Sequence, residues 1–193
     1  PITMGLLLHL VPMTLISLSI CREKERGTYE QLIMAPITRW DIIGGKLIAY
    51  TALCMADMLG TLGIAILLFD VRVRGPLVDL LAFSALFLMC SLSMGMLISV
   101  VSKNQLQALG TSIFIFIPSL LFSGIISPVE YVSPVIRYAI TYTTPMYYFL
   151  HGFRGIMLKG YVLSDLALDC TALGVMTMVY FALAIVLLRM KLG

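Results

Sequence analysis

Charged side chains are scarce in this sequence. Asp, Glu, Lys and Arg make up 12% of its 193 residues, whereas soluble domains usually carry about 25%. Hydrophobic residues make up 60%, and the mean hydropathy is +1.02. A soluble chain of this length does not have enough interior to bury so much apolar surface. The composition therefore excludes an ordinary soluble domain and predicts a chain embedded in a lipid bilayer.

Several motifs of enzymes and nucleic-acid-binding proteins are also missing. The stretch Gly44-Gly45-Lys46 lacks the earlier glycine and the following hydroxyl of a G-x-x-x-x-G-K-[ST] phosphate-binding loop. No basic run is interleaved with aromatic residues, which argues against a nucleic-acid partner. The four cysteines form no C-x-x-C pair, so we interpret them as small buried apolar residues. Candidate catalytic groups do not cluster, and the sequence predicts no catalytic residue and no metal site.

Long apolar runs fill most of the chain. A helical span needs about 20 mostly apolar residues, and five stretches qualify: 1–21, 40–69, 77–101, 106–126 and 165–188. None of them alternates with a period of two, as the wall of a membrane barrel does. Because lipid offers no hydrogen bonds, the backbone of each span must satisfy itself as a helix. We predict an all-α fold, a polytopic transmembrane helical bundle.

The distribution of Lys and Arg predicts the orientation of this bundle. One side collects eight of these residues in short flanks, and the other side collects five, among them Arg72 and Arg74. Positive residues favour the cytoplasmic side, so the 22–39 loop and the C-terminus are predicted to be cytoplasmic. Five spans then leave residue 1 outside, and the chain begins without Met. We therefore expect one further span upstream of residue 1.

The segment 22–38 differs from an ordinary loop. Five charged residues, 22–26, are followed by Gly27, which breaks the first helix. Thr28 and Gln31 fit a capping box, which predicts a short helix that ends at Pro36. This helix carries a single apolar stripe: Tyr29, Leu32, Ile33 and Pro36. Two interpretations stay open, namely an interfacial helix anchored in the headgroups and a knob that docks into a groove of a soluble partner.

A second unusual segment precedes the last span, at 127–164. It contains three Ser-Pro or Thr-Pro steps, and each pairs a good N-cap with Pro at the first helical position: Ser127-Pro128, Ser133-Pro134 and Thr144-Pro145. They predict short helices between 127 and 158 that are too short to span and are rich in aromatic residues. Such helices lie at the outer interface or re-enter the membrane where protein covers their backbone. An external gate and a simple aromatic anchor both fit.

Isolated polar residues and glycines complete the pattern. Asp57 lies near the middle of the second span, where an ionisable group costs about 2.5–3.5 kcal/mol. It either lines a substrate path or accepts hydrogen bonds from a neighbouring helix. His9 and His151 have no carboxylate or cysteine close in sequence, and we interpret both as satisfied or interfacial. Glycines in the spans are interpreted as sites of close helix contact: Gly60, Gly63, Gly95, Gly110 and Gly124.

These segments resemble a known family. Residues 22–36, Arg-Glu-Lys-Glu-Arg-Gly-Thr-Tyr-Glu-Gln-Leu-Ile-Met-Ala-Pro, are similar to the cytoplasmic loop of ABC-2-type exporter permeases. Ser-Pro-Val-Glu-Tyr at 127–131, Pro-Met-Tyr-Tyr at 145–148 and Arg154 resemble the re-entrant segment before that family's last helix. The resemblance runs over essentially the whole chain. Since family members usually have six spans, it implies that this chain corresponds to the C-terminal portion of a permease.

The resemblance implies a division of labour between subunits. Two permease subunits pair in the cell inner membrane, as a homodimer or a heterodimer. Two separate ATP-binding subunits bind below the permease pair, and these subunits bind ATP and Mg²⁺. The helix at 28–36 becomes the coupling helix, seated in the ATPase. The residues implied in this coupling are Glu23, Glu25, Arg26, Gly27, Thr28, Glu30, Leu32 and Pro36. Together with Asp57, the residues of a possible pathway or gate are Pro128, Glu130, Tyr131, Pro145, Tyr148 and Arg154.

The resemblance leaves the cargo open among amphiphilic drugs, lipids and polysaccharides, and it implies outward movement. The aromatic and Met-rich composition suits a hydrophobic or amphipathic substrate, and it equally suits ordinary lipid contact. Two other functions compete with it. A membrane scaffold that recruits a soluble partner through 22–38 shares the features described so far. An ion-coupled secondary transporter normally places paired ionisable or broken-helix sites at the membrane midplane, and here Asp57 is the single candidate for such a site.

Overall fold

The computed structural model describes residues 2–26, 39–69, 73–124 and 144–192. Within these ranges the α-helices are α1 (Ile2–Glu25), α2 (Arg39–Phe69), α3 (Leu77–Val101), α4 (Gln105–Leu121), α5 (Pro145–Arg154) and α6 (Ala167–Leu192). A π-helical turn, Gly155–Lys159, extends α5, and a 3₁₀ turn, Leu163–Leu166, precedes α6. No strand occurs in the ranges given above, so the predicted all-α fold is confirmed.

Most of these helices are long enough to cross a bilayer. Among the residues described, four helical stretches combine sufficient length and apolarity: Ile2–Glu25, Gly44–Leu67, Leu77–Val101 and Leu163–Leu188. The chain is therefore a multi-pass membrane protein. Helix α4 is apolar but has 17 residues, a length of about 26 Å at 1.5 Å per residue. The predicted span at 106–126 overlaps α4 and continues beyond the described residues, so a fifth crossing stays a prediction.

Contacts along the helices define their directions. Helices α1 and α3 run in the same direction, because His9 contacts Ser91 and Cys21 contacts the Ser99 carbonyl further along both helices. Helix α2 runs in the opposite direction, since Lys46 near its start binds Glu23 near the end of α1. Helix α4 is likewise antiparallel to α1, since Gln105 at its start contacts Arg22 and Ser112 further along contacts the earlier Ser17. Helix α6 is parallel to α3, with its C-terminal half packed against the same ends of α1 and α3.

The bundle is organised around α3. Of the four long stretches, α3 is the most deeply buried, with 61% of its apolar span inside the bundle. At Gly95 the backbones of α1 and α3 come so close that an added Cβ would lie 2.4 Å from the Met13 carbonyl oxygen. The prediction of close helix contact is thus confirmed at this glycine. At Gly60, Gly63 and Gly110 an added Cβ meets nothing within 4 Å in the described bundle, so these glycines do not bring its helices together.

Candidate functional site

Four helices bring polar side chains together at one end of the bundle. This charged end is formed by residues 22–25 of α1 with the following Arg26, Lys46 of α2, Ser99 of α3 and Gln105 of α4. It adjoins both ends of the segment 27–38, in which the sequence predicts the coupling helix. The charged end is therefore the part of the described structure through which a force on that segment would enter the bundle.

An ion pair joins α1 to α2. Lys46 donates a hydrogen bond from Nζ to the Oε2 carboxylate oxygen of Glu23. The Lys46 and Glu23 side chains are 18% and 26% exposed, so both charges are largely withdrawn from water. A charge that is removed from water needs a partner, and losing that partner costs more than losing an exposed ion pair. This pair fixes the distance between the helices that precede and follow the segment 27–38.

A second contact joins α1 to the end of α3. Lys24 donates a hydrogen bond of 2.6 Å from Nζ to the carbonyl oxygen of Ser99. The last four carbonyl groups of a helix have no partner within that helix, and Ser99 lies in the last turn of α3, which ends at Val101. A lysine there satisfies such a carbonyl and complements the negative end of the helix dipole. The end of α1 is thereby bound to the central helix of the bundle.

A third contact joins α1 to the start of α4. The carboxylate of Glu25 accepts hydrogen bonds from the backbone N–H of Gln105, at 2.8 Å, and from its side-chain amide. Arg22 donates from Nε to the other atom of that amide, Gln105 Oε1, at 3.4 Å. Asn104 caps α4 by accepting from the Gln107 N–H at 2.7 Å. A carboxylate is favoured at a helix N-terminus because of the free N–H groups and the dipole.

These contacts place three of the predicted coupling residues. Glu23 and Glu25 lie at the charged end, but in this structure their carboxylates bind Lys46 and Gln105 of the same chain. Arg26 is exposed, and its backbone N–H donates to the Arg22 carbonyl at 3.1 Å. The other predicted coupling residues lie outside the described residues: Gly27, Thr28, Glu30, Leu32 and Pro36. Their role in coupling stays a prediction.

Helix α5 lies inside the opposite end of the bundle. Its residues Met146, Phe149, Leu150 and Phe153 are buried in the largest apolar cluster, with residues of α1, α2 and α3. The ring of Phe149 stacks on that of Phe87 of α3, with centroids 4.1 Å apart and planes 14° apart. The apolar face of the amphipathic helix α5 is thus covered by protein.

A glycine permits this close approach. A Cβ added at Gly152 would lie 2.3 Å from the ring of Phe83 in α3. The chain then turns through the π-helical turn and Gly160, whose φ is +74°. On the facing loop, the N–H of Gly75 donates to the carbonyl of Ile156 in that turn at 3.1 Å. Helix α5 and the turn after it therefore form a wedge held between α1 and α3.

The predicted pathway and gate residues do not lie together in the described structure. Pro145 is the first residue of α5 and is buried, Tyr148 is half-buried against the same apolar cluster, and Arg154 is half-buried at the end of α5. The side chain of Asp57 is exposed on α2, whereas Met58 on the next position belongs to the buried face of that helix. Pro128, Glu130 and Tyr131 lie outside the described residues. Asp57 is therefore not brought together with the α5 residues.

Sequence reasoning did not identify a hydrogen bond between the side chains of α5 and α6. Nδ1 of His151 lies 2.8 Å from Oδ2 of Asp169, so His151 is satisfied, as interpreted from the sequence, by a carboxylate 18 residues away. Asp79 likewise accepts a hydrogen bond of 3.1 Å from the backbone N–H of Leu163. One signal was available for the pair, because His151 and Asp169 are equally distant in sequence from Gly160, at which a helical hairpin can turn. The first contact fastens the wedge to α6, and the second fastens the 3₁₀ turn before α6 to α3.

Known proteins are similar to this chain over most of its length. A family model described as "ABC-2 family transporter protein" matches residues 1–186. The chain is 36% identical over 161 residues to the probable multidrug ABC transporter permease YbhS of Escherichia coli K12. These aligned residues cover 83% of this chain and 42% of that protein. It is 35% identical over 150 residues to the probable multidrug ABC transporter permease YbhR of the same organism, covering 76% and 40%.

A eukaryotic protein is also similar to this chain. ABC transporter G family member 23 of Dictyostelium discoideum is 29% identical over 148 residues, which cover 76% of this chain and 21% of that protein. The chain thus spans less than half the length of each of the three relatives.

Proposed function

Because the chain belongs to the ABC-2 family of transporter proteins, we propose that it forms the membrane-spanning part of an exporter permease driven by a separate ATPase. In this proposal the partner subunit binds ATP and Mg²⁺ and hydrolyses the nucleotide, and this chain performs no catalytic step. Two permease subunits pair in the cell inner membrane. The energy of hydrolysis reaches this chain through the coupling helix at 28–36.

The observation that carries this proposal is the set of contacts at the charged end. The last turn of α1 binds α2 through Glu23 and Lys46, α3 through Lys24, and α4 through Glu25 and Gln105. A segment that is displaced by an ATPase would therefore move four helices together. A loop joined to the bundle only through its covalent ends would transmit far less of the motion. The geometry suits a mechanical linkage between a soluble motor and a membrane bundle.

The wedge at the opposite end supplies a second moving part in this proposal. Its buried rings pack against Phe83 and Phe87 of α3, the same helix that Lys24 binds at the charged end. A shift of α1 against α3 would therefore change the packing of α5 against these two helices. Packed side chains switch between discrete arrangements rather than deforming continuously. We infer that α5 acts as the external gate, with Pro145, Tyr148 and Arg154 on it.

The cargo in this proposal is hydrophobic or amphipathic and moves outward. Both Escherichia coli relatives are named as multidrug permeases, and the described helices carry large exposed apolar side chains along α2, α4 and α6. The lipid bilayer is thus the medium from which such a cargo reaches the protein.

A membrane scaffold would need the segment 22–38 but would not need its contacts to respond to nucleotide.

Substitution of the predicted coupling residues tests the proposal. The full-length permease is reconstituted with its ATPase, and Leu32→Ala and Glu30→Ala are compared with the unaltered protein. Both variants are expected to insert normally, to keep ATP hydrolysis and to lose most substrate-dependent transport. Leu67→Ala is the matched control, because Leu67 is 84% exposed near the end of α2 that lies away from the charged end. Unchanged transport in both coupling variants would remove the proposed role of the helix at 28–36.

A further inference from the structure

Two short segments of the chain meet at the end of the bundle that holds the wedge. One is the loop before α3, and the other is the π-helical turn after α5. The backbone N–H of Arg74 in the loop donates to the carbonyl of Met157 in the turn at 3.1 Å. The turn ends at Gly160, where an added Cβ would lie 3.7 Å from the Cβ of Arg74. These contacts use main-chain atoms, so they place Arg74 beside the turn without using its guanidinium group.

Each of the two segments carries an exposed cation. The side chains of Arg74 and of Lys159, which directly precedes Gly160, are both exposed. The Lys159 Nζ lies 5.5 Å from the centre of the Tyr161 ring, and the face of an aromatic ring attracts an ammonium group. We call Arg74, Lys159 and Tyr161 the basic patch. It combines two positive charges from different segments with one phenol.

The carboxylates at this end of the bundle have other partners. Asp79 and Asp165 each accept a hydrogen bond of 3.1 Å from a backbone N–H, and Asp169 lies against an imidazole. Within residues 2–26, 39–69, 73–124 and 144–192, no carboxylate forms an ion pair with Arg74 or Lys159. Like charges that are held near each other repel. An anion bound between the two cations would therefore stabilise the patch.

Exposed apolar side chains border the basic patch. Leu158 and Val162 flank it in the chain and are 52% and 39% exposed, and Leu77 at the start of α3 is 48% exposed. A free phosphate ion gains nothing from such a border, whereas a lipid can lay its acyl chains against it. Tyrosine is also common at the headgroup level of a bilayer. The surroundings of the patch therefore favour a lipid over a soluble anion.

We propose that the basic patch binds the phosphate of an anionic phospholipid, of the phosphatidylglycerol type. The phosphate oxygens accept hydrogen bonds from Arg74 and Lys159, and the acyl chains lie along the apolar border. The guanidinium group offers a planar fork of donors that matches the geometry of a phosphate. A zwitterionic headgroup fits less well, because its ammonium would meet two cations and no carboxylate of the patch.

The bound lipid would connect the loop before α3 to the turn after α5. This binding requires neither nucleotide nor the predicted coupling helix, so its test is independent of the proposed transport function.

Photolabelling with lipid probes tests this site. The full-length protein is placed in phosphatidylcholine nanodiscs with a trace of phosphatidylglycerol that carries a diazirine in one acyl chain, and labelled residues are mapped by mass spectrometry. Labelling of Leu158 and Val162 should exceed that from a matched phosphatidylcholine probe about 25-fold, or about fivefold for each of the two cations. Phe114, which is 76% exposed on α4, reports bulk lipid and should be labelled equally by both probes.

Variants of the two cations provide the second arm. Arg74→Gln and Lys159→Gln should each lower the preference for the phosphatidylglycerol probe about fivefold. Arg74→Gln keeps the backbone N–H that binds Met157, so the two segments stay together. Lys103→Gln is the matched control, because it removes an exposed cation at the charged end and should leave the preference unchanged.

Three outcomes would overturn the proposal. The first is equal labelling of the patch by both probes in the unaltered protein. The second is a preference that persists when both cations are replaced. The third is displacement of the phosphatidylglycerol probe by millimolar glycerol 3-phosphate, because the ligand would then be a soluble phosphate rather than a membrane lipid.

Discussion

Lys46, in the second turn of α2, binds the carboxylate of Glu23, two residues before the end of α1. The two helices are consecutive in the chain, and the segment 27–38 lies between them in sequence. The ion pair thus clamps the two helices at the points where that segment joins them. A force on the segment acts on a closed loop rather than on two independent helix ends, which is the arrangement that a mechanical linkage requires.

The first prediction concerns the sign of the two charges. Lys46→Glu and Glu23→Lys each place like charges in contact at a pair that is largely withdrawn from water, and each should lower the free energy of unfolding by about 3–5 kcal/mol. The double variant restores opposite charges and should recover most of this loss. Thermal unfolding in detergent measures the cycle, and a coupling free energy near zero would show that the pair does not join the helices.

The second prediction uses two glycines that look alike in sequence. Gly95→Ala places a methyl group 2.4 Å from the backbone of Met13, so α1 and α3 must separate, at a cost of about 1–3 kcal/mol. Gly110→Ala meets nothing within 4 Å in the described bundle and gains up to about 1 kcal/mol of helix propensity. Unfolding in a denaturing detergent should therefore rank Gly110→Ala above the unaltered protein and Gly95→Ala below it. The opposite order would contradict the close packing of α1 on α3.

The sequence predicted the class of fold because apolar length alone determines it in a bilayer. It did not predict which face of each helix is buried. A helix such as α3 is apolar all round, since lipid-facing and protein-facing positions are equally hydrophobic. Gly95 and Gly110 therefore looked equivalent, although one lies at a helix contact and the other does not. The sequence also left open whether the segment before α6 lies on the bundle or enters it.

Long-range polar partners were beyond sequence reasoning for a related reason. The family resemblance implied that Glu23 and Glu25 meet an external partner. The structure places Lys46 and Gln105 within their reach, a result of how α2 and α4 pack against α1. Local patterns contain no information on that packing. His151 and Asp169 illustrate the same limit on a shorter scale.

The third prediction tests the burial of the wedge. Phe149→Ala removes a ring that is fully buried against Phe87 and should cost about 3–5 kcal/mol. Phe114→Ala removes a ring that is 76% exposed on α4 and should change the free energy of unfolding by less than about 0.5 kcal/mol. Both residues lie in apolar helices, so composition does not distinguish them. Equal destabilisation of the two variants would mean that α5 is not seated in the bundle.

The last prediction concerns Asp57, whose side chain is exposed on α2 although it lies within the membrane span. A carboxylate facing hydrocarbon at that depth costs about 2.5–3.5 kcal/mol. Asp57→Leu removes this cost, so the bundle should unfold no more easily than the unaltered protein. If Asp57 lines the export pathway, the same change should lower transport at least about tenfold, and Asp57→Asn should lower it less because an amide still forms hydrogen bonds.

Leu59→Ala is the matched control, since Leu59 is 47% exposed on the same helix and is expected to leave both stability and transport unchanged. Transport and unfolding must be measured on the same preparations, because a variant that is less stable also transports less simply because less of it is folded. Unaltered transport in a stable Asp57→Leu protein would exclude Asp57 from the pathway. The gate would then depend on the wedge alone, because the buried face of α2, with Cys54, Met58 and Leu62, lies in the same apolar cluster as α5 and Asp57 does not.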